Sequence, residues 1–189
     1  MTRFLDRLQS ACIWPGRIVG WLVLPLILSV CLTVLAAQLG INMLAEWGEP
    51  APLFGKALTV NTLLDLQWHI FALIVLFGGV YAFRDNSHVA VDVFSSGLPP
   101  RVKLALRIFG DLVFLLPFCV VIAWYGYGFA EKAFISSEGS TYGGMIDRWM
   151  IKAMIPVAFA LLGLCALLRA LATALELAGA SSKHDGTAQ

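Results

Sequence analysis

The chain has 189 residues, of which 59% are hydrophobic and 13% are charged, and its formal net charge at pH 7 is +1. So apolar a composition excludes an ordinary soluble domain. A charge this close to zero argues against nucleic acid as a partner, because nucleic-acid-binding domains are strongly basic on one face.

The charged residues leave four stretches free of Asp, Glu, Lys and Arg: Arg17 to Glu46, Asp65 to Arg84, Asp111 to Glu131, and Lys152 to Arg169. Each approaches the ~20 residues that a helix needs to cross a hydrocarbon core about 30 Å thick. They predict an all-α membrane protein with four transmembrane helices, over about residues 18–40, 63–83, 104–129 and 151–175. Residues 17–178 then form one four-helix membrane domain.

Orientation follows from the basic residues, because Lys and Arg in short loops are retained on the cytoplasmic side. With four spans, nine basic residues fall on the side of the termini and four on the other side. Both termini are therefore predicted to be cytoplasmic.

The segment before the first span places apolar side chains on one helical face. This pattern favours an N-terminal interfacial arm over residues 1–16, lying as a short amphipathic helix in the membrane surface, with a frayed polar tail as the alternative. The apolar run from Ile18 to Ala45 is too long for the core of a signal peptide, so we interpret it as a retained span. Pro25 predicts a bend within it.

The outer connection over residues 41–61 contains helix-breaking glycines and prolines, which favour a loop. A re-entrant loop is one form that this connection could take. The second span then opens with four polar or interfacial residues, which are Asp65, Gln67, Trp68 and His69. Asp65 and His69 lie four residues apart and are placed to pair on one helical face. Near the inner end of this span, Gly78 and Gly79 predict close helix packing, within the bundle or against a partner.

The inner connection, residues 84–101, carries Arg84, His88 and Asp92. A short interfacial helix is preferred, with His88 and Asp92 in one sector, and a strand is the alternative. In the third span Asp111 lies one turn after Arg107, which predicts an ion pair within that helix because an unpaired carboxylate in lipid is costly.

The fourth span follows a polar, glycine-rich connection and begins beside Trp149. Lys152 and Arg169, near its two ends, are predicted to extend toward the lipid headgroups. Residues 179–189 are short of apolar side chains and are predicted to form a disordered tail.

No group of polar residues predicts an active site. The three histidines, His69, His88 and His184, lie at different predicted depths, which argues against a bis-histidine haem. The sequence contains no zinc-protease motif, no serine elbow and no phosphate-binding loop, and its four cysteines lack metal-ligand spacing. We predict no catalytic residue, no cofactor, no metal site and no enzyme activity. A self-sufficient ion pathway is also disfavoured, since it needs ionisable groups along the bundle interior.

Several separated motifs resemble one known family. They are Leu66-Gln67-Trp68-His69; Arg84-Asp85, His88-Val89, Val91-Asp92-Val93 and Leu98-Pro99; and Glu138-Gly139-Ser140, Gly143-Gly144, Trp149, Ile151-Lys152 and Ile155-Pro156. In order and topology they resemble the small, DctQ-like membrane subunit of tripartite ATP-independent periplasmic (TRAP) transporters, over about residues 17–175.

This resemblance implies a multi-pass subunit in the bacterial inner membrane. Its expected partners are a large membrane subunit, which holds the solute and sodium sites, and a periplasmic substrate-binding protein. The expected function is to scaffold the large subunit during sodium-coupled uptake of an organic acid or similar solute. The alternatives are an independent small carrier or channel, and the membrane anchor of a redox enzyme.

The resemblance also makes some polar residues candidates for contacts with the large subunit or with phospholipids. Arg84, His88 and Asp92 are candidates for either contact, with simple anchoring of the loop as the alternative. The polar group that opens the second span is a candidate subunit contact, again with interfacial anchoring as the alternative. Trp149 and Lys152 are candidates for a lipid phosphate or for the binding protein, although an interfacial lysine beside a tryptophan needs no partner.

Overall fold

The structure is a computed structural model that describes residues 12, 14–51, 53–84, 98–140 and 144–185. Four helical segments are long and apolar enough to cross a membrane, namely Trp14–Gln38, Val60–Phe83, Arg101–Ile135 and Trp149–Leu175. The four-span prediction is confirmed. The cytoplasmic placement of both termini stays a prediction, and most of the predicted arm over residues 1–16 lies outside the described residues.

The first span consists of two helices, α1 (Trp14–Gly20) and α2 (Val23–Gln38), separated by a turn. Pro25 explains the interruption, because it has no N–H to donate to the carbonyl of Trp21 and its ring clashes with that carbonyl. The Trp21 carbonyl accepts instead from the N–H of Leu24 at 3.2 Å. Aliphatic side chains along α2 are largely exposed, as suits a helix surrounded by lipid.

An antiparallel β-hairpin follows, formed by β1 (Met43–Ala51) and β2 (Gly55–Thr59). The sequence predicts a loop here, and that prediction is wrong. The turn between the strands uses left-handed backbone at Leu53 (φ 70°) and Gly55 (φ 64°), so the glycine that suggested a loop serves a tight turn. The indole N–H of Trp47 donates to the Gly55 carbonyl at 2.7 Å and fastens the hairpin.

The second span is α3 (Val60–Arg84), and the fourth belongs to α6 (Trp149–Asp185). α3 begins where Thr59 and Thr62 cap each other, the Thr59 hydroxyl accepting from the Thr62 N–H at 3.2 Å. α6 continues through much of the predicted disordered tail and ends at Asp185. The Ala, Leu and Glu residues that precede residue 179 favour continuation of the helix.

The third span consists of α4 (Pro100–Phe109), a π-helical turn (Gly110–Leu115) and α5 (Leu116–Ile135). Pro117 lies at the start of α5 and has no N–H to bond to the carbonyl four residues earlier, so a regular α-helical turn fails there. The N–H of Leu116 donates to the carbonyl of Asp111, five residues back, which is the π-helical pattern.

The helices pack around α3 and α6. Val80 and Phe83 of α3 meet Cys165, Ala166 and Leu168 of α6 in the largest buried cluster, to which Cys12 also contributes.

Small residues permit the close approaches between helices. A methyl group on Gly126 of α5 would lie 3.2 Å from Pro156 of α6, and one on Gly163 of α6 would lie 3.2 Å from Cys119 of α5.

The contact between α1 and α3 gives a test of this packing. A Cβ atom at Gly16 would lie 2.7 Å from the carbonyl oxygen of Phe77 and 2.8 Å from the Cβ of Tyr81, and neither atom can move independently of its helix. We expect Gly16→Ala to lower the free energy of unfolding by about 1 to 3 kcal/mol through overpacking, measured by thermal unfolding in detergent. A Cβ at Gly20, in the same helix, meets nothing within 4 Å, so Gly20→Ala should cost no stability. Equal stability of the two variants would contradict the packing.

Candidate functional site

The polar opening of the second span is tied to the connection that precedes the fourth span. The Asp65 carboxylate accepts a hydrogen bond from the backbone N–H of Met145 at 3.0 Å, and the Met145 side chain is fully buried. Gly144 lies so close to the same carboxylate that a Cβ atom would not fit. Asp65 therefore holds the connection between the third and fourth spans against α3.

The predicted pairing of Asp65 and His69 through their side chains is not formed. His69 instead places Nδ1 2.6 Å from the backbone carbonyl oxygen of Asp65. A carbonyl only accepts hydrogen bonds, so Nδ1 carries the proton.

Gln67 and Trp68 point to different surroundings. The Gln67 amide donates to the hydroxyl of Thr33 at 2.8 Å, and the Ser29 hydroxyl donates to the Leu63 carbonyl at 3.2 Å, so polar groups join α2 to α3 inside the bundle. Trp68 is 72% exposed. Of these two candidate residues, Gln67 serves internal packing and Trp68 presents an open surface.

An open cleft of about 470 Å³ lies at this end of the bundle. Its lining residues come from α3 and from the connection before α6, and they are Asn61, Leu64, Asp65, Trp68, His69, Ser140 and Arg148. The structure thus brings three of the four predicted residues of this group to one surface. It adds Ser140 and Arg148, which the sequence analysis did not propose as contact residues.

Lys152 is paired and does not extend freely toward lipid headgroups. Its ammonium lies 2.5 Å from a carboxylate oxygen of Glu138 and 4.0 Å from the centre of the Phe129 ring, and its side chain is only 14% exposed. Arg148 lies 3.8 Å from the other oxygen of Glu138. Trp149 packs edge-to-face against Phe134, with ring centres 5.2 Å apart. Charge therefore holds the connection to the start of α6, and the aromatic contact joins the start of α6 to the end of α5.

Gly78 and Gly79 do not make the close packing within the bundle that their size predicts. A Cβ atom at either position would meet nothing within 4 Å, because each glycine lines a cleft. Gly78 lies beside α1 at Gly16, and Gly79 lies beside α6 at Ala158. Arg84 is the last residue of α3, while its side chain, His88 and Asp92 lie outside the described residues.

At the opposite end of the bundle a buried ion pair joins α6 to the third span. Arg169 donates from Nε to one oxygen of Asp111 at 2.8 Å and from Nη2 to the other at 2.5 Å. The same guanidinium lies 3.6 Å from the centre of the Phe83 ring and donates to the Phe83 carbonyl at 3.3 Å. One arginine thus connects α3, α6 and the π-helical turn.

This pair corrects two predictions from the sequence. The carboxylate of Asp111 pairs with Arg169 of another helix and not with Arg107, which is exposed. Arg169 correspondingly turns into the bundle and not toward the headgroups. The bidentate geometry suits a planar guanidinium facing a carboxylate.

The π-helical turn decides which residue faces Arg169. The buried face of α5 repeats every seven residues at Cys119, Gly126 and Ala133. In an uninterrupted α-helix this repeat would bury Leu112 and turn Asp111 away by roughly 100°. The π-helical turn adds one residue, so the buried position lies eight residues before Cys119, at Asp111, and not seven residues before it, at Leu112. Asp111 is accordingly 4% exposed and Leu112 is 38% exposed.

Among the residues that the structure describes, no three His, Cys, Asp or Glu side chains are grouped as metal ligands. Among these described residues, Asp65 and His69 line the cleft at one end of the bundle, and Asp111 pairs with Arg169 at the other end.

Comparison with known proteins assigns the chain to a family. A family model described as "Tripartite ATP-independent periplasmic transporters, DctQ component" matches residues 52–176, about two thirds of the chain. The chain belongs to the DctQ family. This DctQ protein is therefore a component of a TRAP transporter and a multi-pass protein of the inner membrane. No curated protein matches the chain.

The buried pair in this DctQ protein makes a prediction about stability. Asp111→Ala leaves the Arg169 guanidinium buried without its carboxylate, and we expect a loss of about 3 to 5 kcal/mol in the free energy of unfolding. The double variant Asp111→Leu with Arg169→Met should recover most of it, because it removes both charges. Unfolding in detergent measures each variant.

Arg107→Gln is the control for the Asp111 variants, because Arg107 is the cation that the sequence placed beside Asp111. It should change stability by less than about 0.5 kcal/mol, as is usual for an exposed position. A large loss in Arg107→Gln with little loss in Asp111→Ala would contradict the interhelical pair.

The ion pair between Lys152 and Glu138 makes a prediction about pH. The hydrogen bond from Lys152 lowers the pKa of Glu138 below its ordinary value of 4.5, and the charges of Lys152 and Arg148 add to this effect. Because its pKa is lowered in the folded state, the Glu138 carboxylate stabilises the fold fully above about pH 4.5, the pKa of the unfolded chain. This stabilisation is lost as the pH falls through the lower pKa of the folded state. The difference in Tm between the wild type and Glu138→Gln should therefore be constant near neutrality and shrink in acid. Lys152→Gln should remove the same pH dependence, and a difference that grows in acid would contradict the pairing.

Proposed function

We propose that this protein is the small permease subunit of its TRAP transporter and acts as a fixed scaffold for the large membrane subunit. In this proposal the large subunit carries the solute and the coupling sodium ions, and a periplasmic binding protein delivers an organic acid or similar solute. The DctQ protein itself carries no solute site and is not an enzyme.

One observation supports the scaffold role above all: the polar groups in its spans are used to hold helices together. In the part of the chain that the structure describes, every buried side-chain nitrogen and oxygen has a hydrogen-bond partner. Gln67 bonds to Thr33, and Asp111 to Arg169. A carrier would instead keep ionisable or polar groups directed toward its cargo.

The exposed surface supports the same role. Large apolar side chains are exposed along α2 and α5, and the two clefts lined by Gly78 and by Gly79 leave room for side chains of a partner. We propose the contacts with the large subunit at the clefts of Gly78 and Gly79 and beside the exposed Trp68 at the cleft near Asp65. Most of the remaining apolar surface would face lipid.

Uptake in reconstituted membranes tests the proposal. The periplasmic binding protein first identifies the solute, by a thermal-shift screen against a panel of organic acids, and that solute is then used in radiolabelled form. Proteoliposomes with both membrane subunits, a sodium gradient and loaded binding protein should take it up. Those lacking the DctQ protein should fall to background, while the Kd of the binding protein for the solute is unchanged.

Two results would contradict this function. Undiminished uptake by the large subunit alone would remove the scaffold role. Solute flux through proteoliposomes that contain only the DctQ protein would show an independent carrier.

A further inference from the structure

The helix α4 carries a basic and partly apolar surface that the scaffold role does not use. Its side chains Leu104 and Ile108 are half-buried, in line with Asp111, and form the face turned toward the bundle. On the opposite side, Val102, Leu106 and Phe109 form a second apolar stripe, and they are 41%, 53% and 53% exposed. An ordinary surface helix has one such stripe.

Cations border the exposed stripe on both sides. At 100° per residue, Lys103 and Arg107 lie about 60° and 100° to one side of Leu106. Arg101 lies about 80° from Phe109 on the other side of the stripe, in the sector next to Ile108. All three are exposed, and no carboxylate of the described residues forms an ion pair with them. From Arg84 to Arg107 the sequence has four basic and two acidic residues, a surplus of two positive charges.

The length of the third span places α4 at a membrane surface. Its 35 residues from Arg101 to Ile135 extend about 50 Å at 1.5 Å per residue, well beyond a hydrocarbon core of about 30 Å. The excess corresponds to roughly 14 residues, and the apolar stretch after Asp111 fills the core. α4 therefore lies in the headgroup region, on the side where the basic residues predict both termini.

We propose that α4 is a binding surface for anionic phospholipids. Arg101, Lys103 and Arg107 contact lipid phosphates, while Val102, Leu106 and Phe109 enter the boundary between headgroups and acyl chains. An apolar stripe flanked by Lys and Arg suits this environment, and each cation near an anionic surface contributes severalfold to the affinity. Charge complementarity favours an anionic lipid over a zwitterionic one.

The Asp111–Arg169 pair gives this surface a fixed orientation. α4 runs directly into the π-helical turn, and Asp111 at that turn is held by Arg169. Because Leu104 and Ile108 share the buried face with Asp111, the pair keeps the stripe through Leu106 turned outward. The lipid-binding surface is therefore presented by a rigid part of the bundle.

Lipid selectivity of the full-length protein tests the proposal without the large subunit. The protein is reconstituted in phosphatidylcholine vesicles with spin-labelled phosphatidylglycerol or spin-labelled phosphatidylcholine, and the two association constants are compared. The wild type should prefer phosphatidylglycerol. Each cation replaced should lower that preference up to about fivefold, so Arg101→Gln, Lys103→Gln and Arg107→Gln together should abolish it. Raising the salt concentration to about 1 M should weaken the wild-type preference, since the Debye length falls to about 3 Å.

Two matched variants isolate charge and position. Arg101→Lys with Arg107→Lys keeps the charges and should keep the preference. Lys56→Gln with Lys132→Gln removes two exposed cations predicted to lie at the other membrane surface and should also keep it. Unchanged Tm values would establish that the triple variant is folded, as expected for exposed side chains.

Either of two outcomes would overturn the proposal. A triple variant that keeps the wild-type preference for phosphatidylglycerol would remove α4 as its source. A triple variant that keeps this preference but no longer copurifies with the large subunit would assign the cations to a protein partner instead.

Discussion

The bundle depends on the neutralisation of charge inside the membrane. A lone carboxylate or guanidinium at this depth is costly, and the cost is offset only when each charge finds a partner with good geometry. Asp111 and Arg169 achieve this with two hydrogen bonds, while the ring and carbonyl of Phe83 complete the surroundings of the arginine. Three of the four spans meet at this point, so their relative rotation follows from one interaction.

Several weaker contacts act together at the end of the bundle that carries Asp65. Asp65 accepts from the Met145 backbone, and the N–H of Ile146 donates to the Leu53 carbonyl at 2.9 Å, so the connection touches both α3 and the hairpin. Lys152 and Glu138 then secure that connection to α6. The Asp111–Arg169 pair at one end and these contacts at the other fix the second and fourth spans relative to each other at both ends. The proposed scaffold role requires this property.

The sequence predicts the parts of this structure that depend on local composition. The four spans follow from the uncharged stretches, and Pro25 marks the break between α1 and α2. It fails where a partner lies far along the chain. Arg107 is the nearest cation to Asp111 in sequence, yet Arg169 is the nearest in space, and periodicity cannot choose between them. The sequence also does not predict the added residue in the π-helical turn. Pro117 predicts an irregular turn, but it does not show whether the turn is wider or tighter than an α-helix.

The π-helical turn has a further consequence for changes in the length of the third span. An extra residue absorbed within a single turn does not change the rotational phase of the helix on either side. The Cys119, Gly126 and Ala133 face keeps its contact with α6, and Leu104 and Ile108 keep theirs. The third span can therefore gain or lose one residue at this turn while both of its contact faces stay in register.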